Sequence, residues 1–349
     1  MSLTQKWQLV KEKQPGIRIR DAAQYLGCSE ADLVATRLGS DIMLGGTERL
    51  RGPWPDVIAS VGALGPVRAL TRNDLVVHER DGVYGPLSVE GHVGLIVGDD
   101  IDLRIFFHHW KYGFAVAEAF RDEYRFSLQF FDAAGMAVHK IYATERTDLR
   151  AFEAMVARFR NSDQHWEPIT PSPMTKTGPR PDSECDTVAL RKAWSELRDT
   201  HDFFPMLRRL GLDRQQSFRL VGPDYAQPLS NDSTRRMLLA AAQNRLPIMV
   251  FVGNPGMIQI HTGPVEKLLE TGPWFNVLDP IFNLHLREDA IATSWLVRKP
   301  TADGVVTSLE VFDRRNDLAV SFFGKRKPGI PEMTDWRRLA ESLTMPEAA

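Results

Sequence analysis

The residues best suited to chemistry concentrate in the second half of a 349-residue chain. His201 lies in WSELRDTHDFFPMLRRLG. Asp199 or Thr200 can cap a helix there. That puts His201 in the helix's first turn, followed at helical spacing by Phe203, Phe204, Leu207 and Leu210. A neutral imidazole beside aromatic rings can give one nitrogen to a metal while the rings wall a flat ligand, as an axial ligand to haem iron does. The same spacing also serves a half-exposed histidine near a helix start, the commoner case. Arg104, in DIDLRIFFHHW, sits inside an apolar strand, where a guanidinium is costly to bury unless paired. Alternation puts Arg104 and Phe106 on one face. They form either a cation beside an aromatic plate in a cleft or an edge arginine reaching water. Lys299 and the run GKRKPG, which joins Lys325, Arg326 and Lys327 to a proline-glycine turn, could clamp paired carboxylates or bind phosphate. A solvated turn is the plain alternative.

Other chemistries find little support. G-x-G-x-x-G, Walker, H-E-x-x-H and G-x-S-x-G motifs are absent. No pair of carboxylates stands out as acid and base, and the nine histidines do not fall at zinc spacing. Lys+Arg (43) nearly balance Asp+Glu (45), for a net charge of -2. That argues against nucleic acid as the main partner, which would call for a basic excess. Two cysteines, Cys28 and Cys185, make neither a disulfide framework nor a ligand cluster, as expected in a reducing compartment. The first residues carry no apolar signal segment, and no apolar run is long enough to span a bilayer. These features predict a cytoplasmic protein without membrane insertion.

What positions these residues is a duplication. FSLQFFD at 126–132 returns as TSLEVFD at 307–313, so Ser127, Leu128, Phe131 and Asp132 recur 181 residues on. Phe114 falls opposite Trp295 and Asn73 opposite Asn254 at the same spacing. At that offset His285 falls opposite Arg104, inside another apolar strand, where a structural role fits it. An Ala-Val pair follows each motif (Ala137-Val138 and Ala319-Val320), here 182 apart. Gly27 and Gly211 each follow a helical pattern, where a left-handed cap belongs. The halves end in amphipathic segments starting at Asp148 and Asp335. A period this long is a doubled domain. We expect an N-terminal repeat over 1–161, a linker over 162–186 whose five prolines hold it extended, and a ligand-binding C-terminal repeat over 187–349. Within each half, helical patterns precede runs rich in β-branched and aromatic residues, several of which alternate (FNLHLRE, RFSLQFFD). No ten-residue helical pattern separates successive strands, so the sheets should be antiparallel. The predicted class is α+β: a tandem duplication, each half a large antiparallel sheet with flanking helices, the cleft built mainly by the C-terminal half.

At these residues the sequence resembles the HemS/ChuS/HmuS/PhuS family of bacterial cytoplasmic haem-handling proteins. The matching segments are RNDLVVHE around His78, DLRIFFHHW around Arg104, DTHDFF around His201, WFNVLDPIFNLHLRED from Trp274, VRKPTADGVVTSLE from Val297 and FFGKRKPGIPE from Phe322. They cover nearly the whole chain. The resemblance implies haem b as ligand or substrate, with His201 as axial ligand to the iron. It places Arg104 and Phe106 on the distal side, Arg104 in a catalytic position. It implies Phe251, Lys299 and Arg326 as pocket or propionate contacts, and matches His78 to a first-half histidine linked to haem in some members. One departure matters: some relatives carry further histidines just after the ligand position, whereas Asp202, Phe203 and Phe204 follow here, which puts ligand exchange in doubt. Three functions follow. The first is a haem carrier in an uptake system, dealing with a haem oxygenase or the cytoplasmic face of a haem ABC transporter. The second is an oxygenase-type haem-degrading enzyme needing O2 and an external electron donor. The third is a nucleic-acid or partner-binding module built on the GKRKPG turn.

Overall fold

A computed structural model describes residues 1–120, 123–170, 178–327 and 329–344. The chain divides into two compact units. The first comprises Met1–Arg72, His78–Met174 and Gly253–Gln259; the second comprises Asn73–Val77, Thr175–Val252 and Ile260–Ala349. Part of the proline-rich segment expected as a linker, residues 171–177, lies outside the described residues, as does Pro328 of the basic turn.

In the first unit, helices Leu3–Lys13, Ile19–Leu26 and Glu30–Ala35 precede the sheet. Strands Thr47–Leu50, Tyr112–Phe120, Glu123–Phe131, Ala137–Ala143 and Val67–Arg72 then lie side by side in that order, and every pairing is antiparallel. Leu87–Glu90, Val93–Ile96 and Asp102–Phe106 form a second antiparallel run. Helix Leu149–Phe159, capped by Asp148, closes the unit.

The second unit repeats this plan. Helices Thr187–Ser195, Phe203–Leu210 and Arg214–Val221 come first. Strands Ala226–Leu229, Thr293–Thr301, Gly304–Phe312, Leu318–Gly324 and Ile248–Asn254 follow in spatial order. Leu268–Thr271, Trp274–Leu278 and Phe282–Arg287 make the shorter run. Helix Thr334–Ser342 ends the repeat. The expected α+β duplication is therefore present.

The ladders refine the repeat. Ser127 pairs with Tyr142, Gln129 with Lys140 and Phe131 with Ala137. Their counterparts pair Ser308 with Phe323, Glu310 with Ser321 and Phe312 with Leu318. Both hairpins bulge at the same step, before Phe131 and before Phe312. The offset of 181 thus runs unbroken through the hairpin, and Val138 matches Ala319. The Ala-Val pairs that suggested 182 are a coincidence of composition. An 11-residue helix, Ser233–Gln243, does separate two successive strands, Ala226–Leu229 and Ile248–Asn254. Those strands lie at opposite ends of the five-strand run, so the helix feeds no parallel pair.

The two faces of the second unit's sheet differ. One presents Val250, Val252, Leu296, Leu309, Val311, Val320 and Phe322, all buried against Met237, Leu238 and Ala241 of Ser233–Gln243 and Trp336 and Ala340 of Thr334–Ser342. On the other, Trp295, Val297 and Phe312 pack with Trp194, Phe203, Met206, Leu207 and Phe218 of the leading helices. Gly27 (φ 67°) and Gly211 (φ 62°) both end helices in the left-handed conformation, as their positions in the sequence predicted. Among the described residues no helix is long and apolar enough to cross a membrane.

Candidate functional site

Residues directly opposite each other on antiparallel strands share a face. On the second unit's sheet this rule strings Trp295, Glu310, Ser321 and Phe251 into one row across four strands. Two residues along, Val297, Ser308, Phe323 and Met249 form the next row. Lys299 continues the face. The leading helices cover the Trp295–Val297 end, while Met249, Phe251 and Phe323 stay partly exposed. The Phe251 and Phe323 rings meet edge to face, 5.1 Å between centroids.

A buried charge cluster sits within this face. The Glu310 carboxylate is fully enclosed and accepts from Lys299 Nζ at 2.8 Å, Arg214 Nε at 2.7 Å, Arg214 Nη2 at 2.9 Å and Ser308 Oγ at 3.1 Å. Burial alone would raise its pKa; Arg214 and then Lys299 hold it down at about 2. Both cations also lie over aromatic faces: Lys299 is 4.6 Å from the Phe203 ring centroid, and Arg214 is 5.2 Å from those of Phe203 and Phe204. Lys299 is therefore half of a buried ion pair and not the free surface clamp its sequence position suggested. It shares the single negative charge of Glu310 with Arg214.

His201 differs from expectation in another way. It belongs to a 3-10 turn, Thr200–Asp202, one step before helix Phe203–Leu210. Its side chain is 92 % exposed, where the sequence pattern suggested an apolar wall against it. The aromatic residues after it divide: Phe203 is buried in the core, whereas Phe204 is 58 % exposed. Asp199 caps the turn by accepting from the His201 backbone N–H at 2.8 Å, and the same oxygen lies 2.6 Å from His201 Nδ1. A carboxylate can only accept, so Nδ1 carries the proton of that bond. The backbone N–H first, and the ring after it, hold the Asp199 carboxyl below its usual range. The side chain presents an oriented Nε2 to solvent, as a metal-binding imidazole does.

The remaining candidates are placed as follows. Arg326 is half-buried, 3.6 Å from Asp303, while Lys325 and Lys327 beside it are exposed. In the first unit, Arg104 donates to Asp102, two residues back on the same face of its strand, and Phe106 ends that strand half-buried. His78 is fully buried in strand Val76–Gly82. The second unit thus brings Lys299 beside the helix that begins just after His201, and Phe251 onto the same sheet face. Sequence reasoning missed Arg214, Glu310 and Phe323. A signal existed for one of them: Glu310 is an acid inside the apolar alternation of VTSLEVF.

The matched face of the first unit has diverged. At the 181 offset Leu70 stands for Phe251, Tyr142 for Phe323 and Glu118 for Lys299. Its buried ion pair is a different one, Lys140 with Glu30. The aromatic pair and the Arg214–Glu310–Lys299 cluster belong to the second half alone. An apolar plate with an anionic edge and a metal fits these features: exposed and half-exposed aromatic rings, adjacent cations, and one free imidazole nitrogen.

Comparison with known proteins agrees. A sequence profile described as the haemin-degrading HemS.ChuX domain matches twice, over residues 27–159 and 211–343. The hemin transport protein HmuS of Yersinia pestis is 40 % identical over 341 residues, covering 96 % of this chain and 95 % of its own length. The crystal structure of holo-PhuS, a heme-binding protein from Pseudomonas aeruginosa, superposes with a TM-score of 0.94 at 46 % identity over 98 % of both chains. ChuS of Escherichia coli O157:H7, described as a heme degrading enzyme, gives 0.90 at 36 % identity, again over 98 % of both. The chain belongs to the haemin-degrading HemS/ChuX family and carries two tandem copies of its domain.

Proposed function

We propose that this chain is a cytoplasmic haem-binding protein of a bacterial haem-uptake system, and that its second half carries the site. The observation that carries the reading is the Asp199–His201 pair: a carboxylate fixes the proton on Nδ1 and leaves Nε2 free to take the iron. Phe204, Phe251 and Phe323 offer apolar surface for the macrocycle. Arg326, 3.6 Å from one carboxylate, and the exposed Lys325 and Lys327 beside it are cations for the propionates, with Arg214 and Lys299 holding Glu310 beneath. On this reading Arg104 and Phe106 serve the distal side, as the family resemblance suggests, and Phe251 and Lys299 line the pocket. A haem oxygenase and the cytoplasmic face of a haem ABC transporter are the partners this role calls for. The test is a hemin titration of the apo-protein. We expect a saturable Soret shift at one haem per chain, greatly weakened or spectrally altered in His201→Ala; an unchanged affinity and spectrum in that variant would reject the ligand assignment.

A second reading, oxidative haem degradation, is favoured by the family's description and by a relative described as degrading heme. Bound haem would supply the redox chemistry, and Arg104 would be the hydrogen-bond donor that the family resemblance assigns to it. Haem-loaded protein given a reductant and catalase distinguishes the two. Loss of the Soret band with a defined tetrapyrrole product marks an enzyme, and a persistent band with transfer to an added oxygenase marks a carrier.

A further inference from the structure

Apart from the residues assigned to haem, the core of the first unit holds a phenol–imidazole pair. Tyr84 and His139 are both buried, and the Tyr84 hydroxyl lies 2.6 Å from His139 Nε2. On the other side of the ring, Thr71 Oγ1 lies 2.9 Å from Nδ1. Burial lowers the pKa of the imidazole to about 3, so the ring is neutral and carries one proton. It donates that proton to the carbonyl of Leu70, the neighbour of Thr71, which places it on Nδ1. Nε2 is left to accept from the phenol. Burial also raises the pKa of Tyr84 well above the ordinary phenol value, so its O–H stays intact. Oxidisable rings lead outward from the pair. The Trp110 ring stands 6.3 Å from that of His139 and 4.7 Å from that of Phe130. Trp54, half-buried, also packs on Phe130, at 5.8 Å, and donates from Nε1 to the Trp110 carbonyl at 3.0 Å.

The duplication supplies an internal control. At the 181 offset Thr71, Tyr84 and His139 become Val252, Val265 and Val320, while Trp110 and Phe130 become Ile291 and Val311. All five replacements are buried together in the core of the second unit. There the same plan closes with aliphatic side chains alone. Burying a hydroxyl or an imidazole costs free energy that burying valine does not. Folding therefore does not call for the Thr71–His139–Tyr84 chain, and the first half keeps it for another reason.

Phenol and indole are among the side chains most readily oxidised by one electron. A phenol gives up its electron far more easily when a base stands ready for the proton, because the alternative product is a strongly acidic cation radical. We propose that Tyr84 is a one-electron redox site, with His139 as the base that takes its proton and Trp110 and Trp54 as the relay toward the surface. The co-reactant is a strong one-electron oxidant of the metal-complex class. One electron passes from Tyr84 to that oxidant, which is reduced by one. The Tyr84 O–H bond breaks, its proton forms an N–H bond at His139 Nε2, and a neutral phenoxyl radical stays beside an imidazolium. Return of one electron moves the proton back and restores the pair, so the site stores and releases an oxidising equivalent without loss of material.

The experiment uses the full chain without haem, so its outcome is independent of the haem reading. Tris(bipyridyl)ruthenium is photo-oxidised with persulfate in the presence of the protein, and the sample is frozen and read by electron paramagnetic resonance. We expect a neutral tyrosyl radical whose yield is at least tenfold lower in Tyr84→Phe. His139→Val keeps the phenol but removes the base, and its yield should fall as far. A variant carrying Thr71→Val, Tyr84→Val and His139→Val copies the second half's core, so it should fold, as circular dichroism will show, and give no more radical than Tyr84→Phe. Absence of the radical in the unsubstituted protein, or an equal yield in Tyr84→Phe and the triple variant, would overturn the proposal. So would an equal yield in His139→Val, since the proton would then go elsewhere.

Discussion

Asp199→Asn separates two duties of one side chain. Asp199 caps the turn through the His201 backbone N–H, at 2.8 Å, and fixes the imidazole through Nδ1, at 2.6 Å. Asparagine caps as well as aspartate, so the turn should persist. What is lost is the charge that holds the proton on Nδ1. Removing a carboxylate behind a metal-binding histidine typically weakens the metal by about 10- to 100-fold. Both partners here are well exposed, at 92 % and 61 %, so water screens the pair and the smaller figure applies. We therefore expect a rise in the hemin Kd of about tenfold, or ~1.4 kcal/mol. The assay is a Soret titration of Asp199→Asn beside the unsubstituted protein and His201→Ala, with far-UV circular dichroism to show that the fold is kept. If Asp199→Asn binds within twofold of the unsubstituted protein while His201→Ala fails, the carboxylate does not prepare the ligand and the orienting argument is wrong.

Glu310→Gln leaves Lys299 and Arg214 without their counter-ion, and breaking a buried pair costs about 3–5 kcal/mol. Arg214 keeps some access to water, so we expect the lower end, a fall of about 6–12 °C in the second unit's melting temperature; a fall under about 2 °C would show that the cluster is not closed. Because the folded Glu310 carboxyl is depressed to about 2, its contribution is complete above the ordinary glutamate range and is lost as pH falls from there through about 2. Acid titration of unfolding free energy should accordingly show a shallower loss in Glu310→Gln. Arg104→Ala should retain haem but move the acid–alkaline transition of the loaded protein upward in visible spectra; an unmoved transition removes Arg104 from the distal side. Gly27→Ala and Gly211→Ala should each cost about 1 kcal/mol in chemical denaturation, because both residues are left-handed, and a neutral result at either would show that its cap relaxes.

Long-range pattern was the most legible part of the structure. Ser127, Leu128 and Phe131 recurring as Ser308, Leu309 and Phe312 revealed the doubled domain because they occupy the same rungs of two ladders. Alternation in FNLHLRE gave a strand, and Gly211 after DFFPMLRRL gave a helix end. The site was harder to read. Lys299 looked like a free cation because its partner Glu310 is 11 residues away along the chain and reaches it only across a hairpin. Arg214 joins from a helix 96 residues upstream of Glu310, a contact that no local spacing encodes. His201 was assigned a helical first turn because Asp199 caps a 3-10 turn with the same hydrogen bonds. Residue type named the ligand candidate; tertiary structure alone could say how wet it is.

The exposure of His201 bears on kinetics. An imidazole standing almost wholly in water offers its lone pair at first collision, without waiting for a lid to open. If His201 takes the iron, the competent form is the major one, and apparent affinity would carry no penalty for a rare open state. Uptake of haem on this design would be limited by encounter and orientation. Differences in residence time would come from whatever settles over the macrocycle after it has landed.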